Sequence, residues 1–354
     1  MQDIPKTLFL GVGGAGANAV AYYRCFLPAA SLGAEYATWG TQNDGRKLVI
    51  TGGLGNPPPD IEDFESFEVI VIQYASAKAW LPHIRRLREA GVTLLYEIDD
   101  YLQGARRNKQ HELADQFGKD RLQDLETAMS AMDGLIGTND YIARRYKAHS
   151  PRTWACPNGI DLLRYGWNKP ERKGVTLGFA GGVGHKASLA RWEPAIRNVM
   201  RAREEVRFVS VGHPAAAVFV QEFGPERAIS YPVAGIETYP ASMTLFDISF
   251  APSAGNNQFR GKSDLRWLEC SALGVPLVAH PEVYPDIEDG VTGVHAETPE
   301  EAEAALLRLV DDQAERERIG RAAREYVAEH RSFPRAAEPW AAVLREAVNA
   351  RAGV

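Results

Sequence analysis

The strongest constraint on this chain is an alternation: short, uninterrupted apolar runs of strand length give way to longer helix-like segments, and the pattern occurs twice. In the first half TLFL precedes ANAVAYYRCFLPAASL, and EVIVIQY precedes the segment around AWLPHIRRLREAG. TLLYEI then precedes a polar helix near 108–132, and GLIGT precedes DYIARRYKA. A strand that is apolar at every position must be covered on both faces. A helix between consecutive strands returns the chain to the same edge, so the pattern is that of a parallel sheet between helical layers. After the Pro- and Gly-punctuated CPNGIDLLRYGWNKPERKG the alternation restarts with VTLGFAG, a helix to about 204, VRFVSVG, AISYP, DISFAP, one more helix and VPLVAH. The expected fold class is α/β, with two doubly wound, Rossmann-like domains. The first spans 1–168, the second 169–330, and an amphipathic helical tail over 331–354, broken by Pro334 and Pro339, packs back toward the first domain.

Composition sets the outer bounds. With 354 residues, 45% of them hydrophobic, the chain can bury two separate cores. A formal net charge of -6 gives no global field that draws it to nucleic acid or anionic lipid. The three cysteines, Cys25, Cys156 and Cys270, lie far apart without CxxC spacing, which points to neither a zinc site nor a disulfide framework and fits a reducing cytoplasm. No apolar run approaches the roughly 20 residues of a membrane span. The opening MQDIPKTLFLGVGG lacks a charged leader with a cleavage site, so a cytoplasmic location without a transmembrane segment is expected.

Three segments carry candidate chemistry. In GVGGAGANAV, Gly11, Gly13 and Gly16 satisfy GxGxxG, and a strand, glycine turn and helix N-terminus together form an anion site. A dinucleotide would also require an acidic residue at the end of the second strand, but Glu35 lies before YATW rather than after it. The same glycines, Gly13 and Gly14 foremost, alternatively let the backbone approach a ligand. In YEIDDYL, Asp99 and Asp100 stand at the carboxyl end of a strand, where they can accept a substrate hydroxyl, hold a cation or cap the next segment. Neighbouring strand side chains diverge, so the pair does not converge on one metal, and no metal is assigned. In LGFAGGVGHKASL a second glycine turn, with Gly182, leads into His185 and Lys186. A lysine beside helix N-terminal amides suits a diphosphate, with His185 as a further donor; a plain surface pair is the alternative.

The segment GKSDLRWLECSALGVPLVAH reads as a helix feeding a buried strand. Leu265, Leu268, Ala272 and Leu273 lie at helical spacing, Ser263 is available to cap the start, and Gly274 with Pro276 ends it. Glu269 falls on a different face. The ordered set of two doubly wound domains, the NGID turn at Asn158–Asp161, the glycine turn with Lys186, the APS tripeptide and LECSALGVPLVA resembles the GT-B glycosyltransferases, specifically family 4 and phage-associated relatives. The resemblance implies GT-B architecture, in which the two domains face each other across a cleft. It also implies that Glu269 accepts hydrogen bonds from the ribose hydroxyls of a nucleotide-sugar donor. Many family members carry a second glutamate eight positions earlier, where this chain has Gly261, so the sugar contact is unassigned. Lys262, Ser263 and the amides opening this helix are placed to cradle the diphosphate, with Arg266 or Lys186 adding charge.

The function implied is transfer of a sugar from a nucleotide-diphosphate donor, UDP- or GDP-linked, to an acceptor hydroxyl, with retention and with no cofactor. Lys262, Lys186 and Asp100 are the expected catalytic residues. Glu269, Ser263, Arg266, Gly182, His185, Gly13 and Gly14 are the expected donor-binding set. A carbohydrate or lipid-linked acceptor is favoured. One rival keeps the fold and takes a hydroxymethylated base in phage DNA, with Arg85, Arg86, Arg106, Arg107, Arg144 and Arg145 as a basic rim. A second is an NAD-dependent oxidoreductase built on the first glycine loop, and a third a donor-binding protein without catalysis.

Overall fold

A computed structural model of the chain describes residues 3–13, 19–42, 45–52, 60–107, 118–182, 185–253, 255 and 260–353. The chain divides into two compact units: Met1–Gln103 with Gln116–Gly159 and Phe333–Val354, and Gly104–Asp115 with Ile160–Ser332. The division falls at Gly159/Ile160 rather than at 168/169. Ile160 donates its backbone N–H to the carbonyl of Arg331 at 2.9 Å, and Ile160 and Tyr165 both sit in a core of the second unit. The stretch 160–168 is therefore held by the second sheet and its helices, a pairing of distant segments that composition does not reveal.

The first unit contains β1 (Thr7–Val12), β2 (Glu35–Gln42), β3 (Lys47–Gly52), β4 (Val69–Gln73), β5 (Thr93–Ile98), β6 (Gly134–Gly137) and β7 (Thr153–Ala155) in one sheet of order β3-β2-β1-β4-β5-β6-β7. Every pair is parallel except β2 with β3. The antiparallel edge strand KLVITG was not among the expected strands: it starts at Lys47, soon after β2 ends at Gln42, too soon for a helix between them, and so lies outside the strand–helix alternation. β4 and β5 are buried along their whole length, as continuous apolar runs require. A helix over 19–32 follows β1 and contains a π-helical turn, Tyr22–Phe26. Pro28 comes two residues later and has no N–H to give to the carbonyl four residues back, a break in the ladder that a local π turn accommodates. Gly33 ends the helix in the left-handed region at φ 71°. Of the polar helix expected near 108–132, Lys119–Ala131 is present, and 108–117 lie outside the described residues.

The second unit contains β8 (Val175–Gly181), β9 (Val206–Gly212), β10 (Ala228–Tyr231), β11 (Ile248–Ala251), β12 (Leu277–Ala279) and β13 (Val294–His295), all parallel, in the order β10-β9-β8-β11-β12-β13. The winding reverses between β8 and β11. Open parallel sheets leave a crevice at such a switch point, beyond the carboxyl ends of the strands. One face of this sheet packs Trp192, Phe179, Phe208 and Phe250, the other Trp267, Phe246 and Met243.

The tail forms three helices, Pro299–Asp311, Gln313–His330 and Glu338–Ala352. Thr298 and Glu301 close a reciprocal capping box on the first. Pro339 lies in the first turn of the last helix, so it opens that helix rather than breaking one, because the first turn needs no donor from it. Trp340, 1% exposed, meets Phe9 of β1 edge to face at 5.6 Å. No helix among the described residues is long and apolar enough to cross a membrane.

Candidate functional site

β8 ends at Gly181, and the helix Lys186–Ala202 begins five residues later with His185 at its N-cap position. Across this turn lies the helix Leu265–Ala272, whose residues Arg266 to Ala272 are all buried. Arg266 reaches back over β8. Its guanidinium carbon stands 4.4 Å from the centre of the Phe179 ring, and Nη2 lies 3.4 Å from His185 Nε2. His185 meets the edge of the same ring at 5.8 Å. Gly181 makes this approach possible: a Cβ there would sit 2.6 Å from Arg266 Nη2, 3.1 Å from His185 Cδ2 and 3.2 Å from Phe179 Cζ. The glycine of this turn is thus required by the arginine packed over it.

Arg266 is only 9% exposed, and its Nε is buried without a hydrogen-bond partner among the described residues. No carboxylate among them forms an ion pair with it. A buried cation held by a ring face and a histidine, with no ion pair among the described residues, has the character needed to receive an anion. The N-terminal turn of the 17-residue Lys186–Ala202 helix lies beside it and adds its dipole.

Glu269 sits one turn further along the same helix, 5% exposed, where Tyr239 Oη donates to its Oε2 at 3.2 Å. Burial, and then the Glu269 charge, push the Tyr239 phenol well above its ordinary range, so it stays a hydrogen-bond donor. Tyr284 is buried beside this helix, with its phenol raised to about 12 by burial. Neither tyrosine was identified from the sequence. YP at 239 and 284 reads as turn punctuation, and only the tertiary fold brings both to the Glu269 helix.

Of the other expected donor residues, Lys262 and Ser263 are half-buried just before this helix. Lys186 and Gly182 are exposed at the second glycine turn. Ser263 does not cap the helix. Asp264 holds the N-cap position without a side-chain cap bond, because its carboxylate is paired with Arg331 at 2.6 Å. Burial raises the Asp264 carboxyl while Arg331 opposes the rise. Ser253, of the APS tripeptide, is fully buried and accepts from the Gly255 N–H at 3.1 Å. Residues 254 and 256–259 lie outside the described residues.

In the first unit, Gly13 adopts φ 130° and donates its N–H to the carbonyl of Trp39 at 2.9 Å. Gly11 serves packing, since a Cβ there would meet Ala21 Cβ at 2.7 Å. Gly14 and Gly16 lie outside the described residues. Asp99 accepts from Tyr74 Oη. Asp100 is half-buried, and its backbone carbonyl accepts from Tyr146 Oη at 3.3 Å. Both residues lie just past the end of β5, which closes at Ile98, so the alternation of strand side chains does not govern them. Behind the glycine turn lies a network that the sequence reading did not identify. Val12 N–H donates to Gln73 Oε1 at 3.1 Å, Gln73 Nε2 to Glu97 Oε2 at 2.7 Å, and Arg24 Nε to Glu97 Oε1 at 2.6 Å. Arg24 also donates to the carbonyl of Cys156 at 2.6 Å and to Asn158 Oδ1 at 3.1 Å. Burial raises the Glu97 carboxyl against the pull of Arg24.

The basic residues proposed as a nucleic-acid rim include two with structural duties. Arg86 pairs with Glu65 at 3.1 Å, and Arg145 stacks on Tyr101 and Tyr141 at 5.1 and 5.0 Å. Arg85, Arg106 and Arg144 sit on helices without such a partner, and the Arg107 side chain is outside the described set.

Residues 193–341, which include the Glu269 helix, match the family described as glycosyl transferase-like. No curated protein matches the sequence. Among solved structures, the chain resembles sucrose-phosphate synthase from Thermosynechococcus elongatus at 16% identity, covering 98% of this chain and 100% of that one, with a TM-score of 0.68. It resembles HepE of Anabaena, solved with UDP and glucose, at 15% identity over 96% of this chain and 99% of that one, with a TM-score of 0.66. It also resembles TarM of S. aureus, solved with UDP among other ligands, at 15% identity over 78% of this chain, with a TM-score of 0.57; there it spans about half of the longer protein, 55%. The fold is GT-B, with a glycosyl transferase-like domain in its C-terminal half.

Proposed function

We propose that this GT-B chain is a glycosyltransferase that moves a sugar from a nucleoside-diphosphate donor, a UDP-sugar, to an acceptor hydroxyl. The observation that carries the reading is the pairing on one helix of Arg266, a buried guanidinium with no ion pair among the described residues, and Glu269, a buried carboxylate facing Tyr239. A diphosphate supplies the charge that the first lacks. A ribose diol supplies the donors that the second accepts. UDP in the solved structures of HepE and TarM supports uracil as the base.

In the reaction the bond between the anomeric carbon and the β-phosphate oxygen breaks, the acceptor oxygen bonds to that carbon, and the acceptor proton is released. The main demand on the protein is to stabilise the charge that gathers on the departing diphosphate. Arg266 meets it directly, the N-terminal amides of the Lys186–Ala202 helix add fixed dipoles, and Lys186 and Lys262 add further positive charge. No side-chain nucleophile is needed. Retention rests on the resemblance to family 4, as does a carbohydrate or lipid-linked acceptor. No cofactor or metal is given a role.

The test is calorimetric titration with UDP, GDP and NADH. UDP is expected to bind, and Arg266→Ala and Glu269→Ala are each expected to weaken it by about 1.5 to 3 kcal/mol, the usual worth of a charge-assisted hydrogen bond. Lys186→Ala and Lys262→Ala are expected to lower turnover more than melting temperature. Unchanged UDP affinity in both the Arg266 and Glu269 variants, or binding of NADH in its place, overturns the reading.

A further inference from the structure

The second unit has a charged cavity at the opposite edge of its sheet from Arg266. It occupies about 310 Å³ at the amino-terminal ends of β8, β11 and β12, lined by Lys169, Arg172, Gly174, Asp247, Gly274 and Arg316 among others. Gly174 immediately precedes β8, Asp247 precedes β11, and Gly274 follows the Glu269 helix.

Most charges around it already have work. Asp247 Oδ2 accepts the Thr176 N–H at 2.9 Å and stands 3.9 Å from Arg172 Nη2. Arg172 Nη2 donates to the carbonyl of Thr244 at 3.2 Å, while its Nε is buried without a hydrogen-bond partner among the described residues. Arg316 Nη1 donates to the carbonyl of Leu309 at 2.6 Å, and Glu317 accepts from Gln313 at 2.8 Å. Lys169 makes no hydrogen bond or ion pair among the described residues, although it is half-buried. Three cations thus share the cavity with two carboxylates, an excess of one positive charge, and the one ion pair among them joins Asp247 to Arg172 and leaves Lys169 and Arg316 outside it. Burial lowers the Lys169 pKa, Asp247 works against that, and Arg172 and Arg316 deepen it. The carbonyl end of the Glu269 helix favours one cation nearby, but it does not call for three.

We propose that this cavity binds a small oxyanion bearing a phosphate or carboxylate group, with Lys169 and Arg316 as its principal contacts. A volume near 310 Å³ exceeds a single ion and fits a metabolite of a few heavy atoms. An oxyanion there gives the Lys169 ammonium the partner it lacks and accepts from the unused guanidinium N–H groups. The site is separate from the donor residues, so the inference does not depend on the UDP reading.

The test titrates inorganic phosphate, pyrophosphate and citrate into the full chain carrying Arg266→Ala, which removes the donor-side seat. Lys169→Ala and Arg316→Ala are then added separately, with Lys169→Arg as the charge-preserving variant. At least one anion is expected to bind at millimolar concentration or tighter. Each alanine variant should weaken it by roughly tenfold or more, the usual effect of losing one charge-assisted bond, with the melting temperature retained in Lys169→Ala, which breaks no bond of the fold. Lys169→Arg should restore most of the affinity. Phosphate or pyrophosphate binding alone identifies a phosphorylated ligand, and citrate alone a polycarboxylate. The proposal is overturned if none of the three binds, or if binding is indifferent to Lys169 and Arg316.

Discussion

Arg24 and Arg266 are both nearly buried arginines, and they differ in what answers their charge. Arg24 is neutralised at 2.6 Å by Glu97, which is itself held by Gln73, and its guanidinium also covers the Trp340 ring at 4.8 Å. Arg266 has a ring and a histidine but no paired carboxylate among the described residues. The first is a structural ion pair and the second is the residue to which the proposed function gives the diphosphate, a distinction invisible in sequence, where each is one arginine within a helical run. Glu269 was legible because a specific run of neighbours, LECSALGVPLVA, accompanies it. Glu97 was not, since it reads as one polar position in an otherwise apolar strand. Glu97→Gln is expected to destabilise the first unit by about 3 to 5 kcal/mol, because the Arg24 charge stays buried without its partner. Replacing both residues by neutral ones should recover part of that loss. Denaturant midpoints of the two single variants and the double variant measure it, and a cost below about 1 kcal/mol for Glu97→Gln would show that Arg24 is hydrated.

At the scale of elements, the strand-turn-helix after β8 shows how local geometry prepares the site. The sequence announces a glycine turn, but the reason for Gly181 comes from a helix about eighty residues away. Its Cβ position is taken by Arg266, His185 and Phe179. Gly11 in the first unit is matched instead by Ala21 and Tyr36, which belong to helix and strand packing. Two glycine turns of similar appearance thus have different physical causes. Gly181→Ala should therefore displace Arg266 from the Phe179 face, with an overpacking cost of about 1 to 3 kcal/mol. UDP affinity should fall as in Arg266→Ala, and the two substitutions combined should weaken binding little more than either alone, because both remove one interaction. Additive losses in calorimetry would mean that Gly181 and Arg266 act on the ligand independently. The element the sequence reading missed, β3, has the opposite character. Among the described residues it is a short edge strand paired with β2 alone, joined to it without the intervening helix that marks the other strands.

At the scale of the whole molecule, the alternation of apolar strands and helices revealed both sheets, because continuous apolar runs admit few other burials. The allocation of segments between units was less legible. The chain leaves the first unit at Gly159 and returns to it at Phe333, so the last helix completes a core that begins at β1. Each unit has its own fully buried tryptophans, Trp340 in the first and Trp192 in the second. Two such cores need not unfold together. Trp340→Ala should lower the stability of the first unit by about 3 to 5 kcal/mol, and Trp192→Ala that of the second by a similar amount. A ligand that contacts only one unit adds its binding free energy to that unit alone. UDP at a hundred times its Kd should therefore stabilise by about 2.7 kcal/mol whichever unit holds the diphosphate. With Arg266 and Glu269 both in the second unit, that gain should raise the melting transition weakened by Trp192→Ala and leave the one weakened by Trp340→Ala in place. Differential scanning calorimetry of the two variants with and without UDP reads this directly. A shift confined to the transition of the first unit would move the donor seat to the glycine turn after β1.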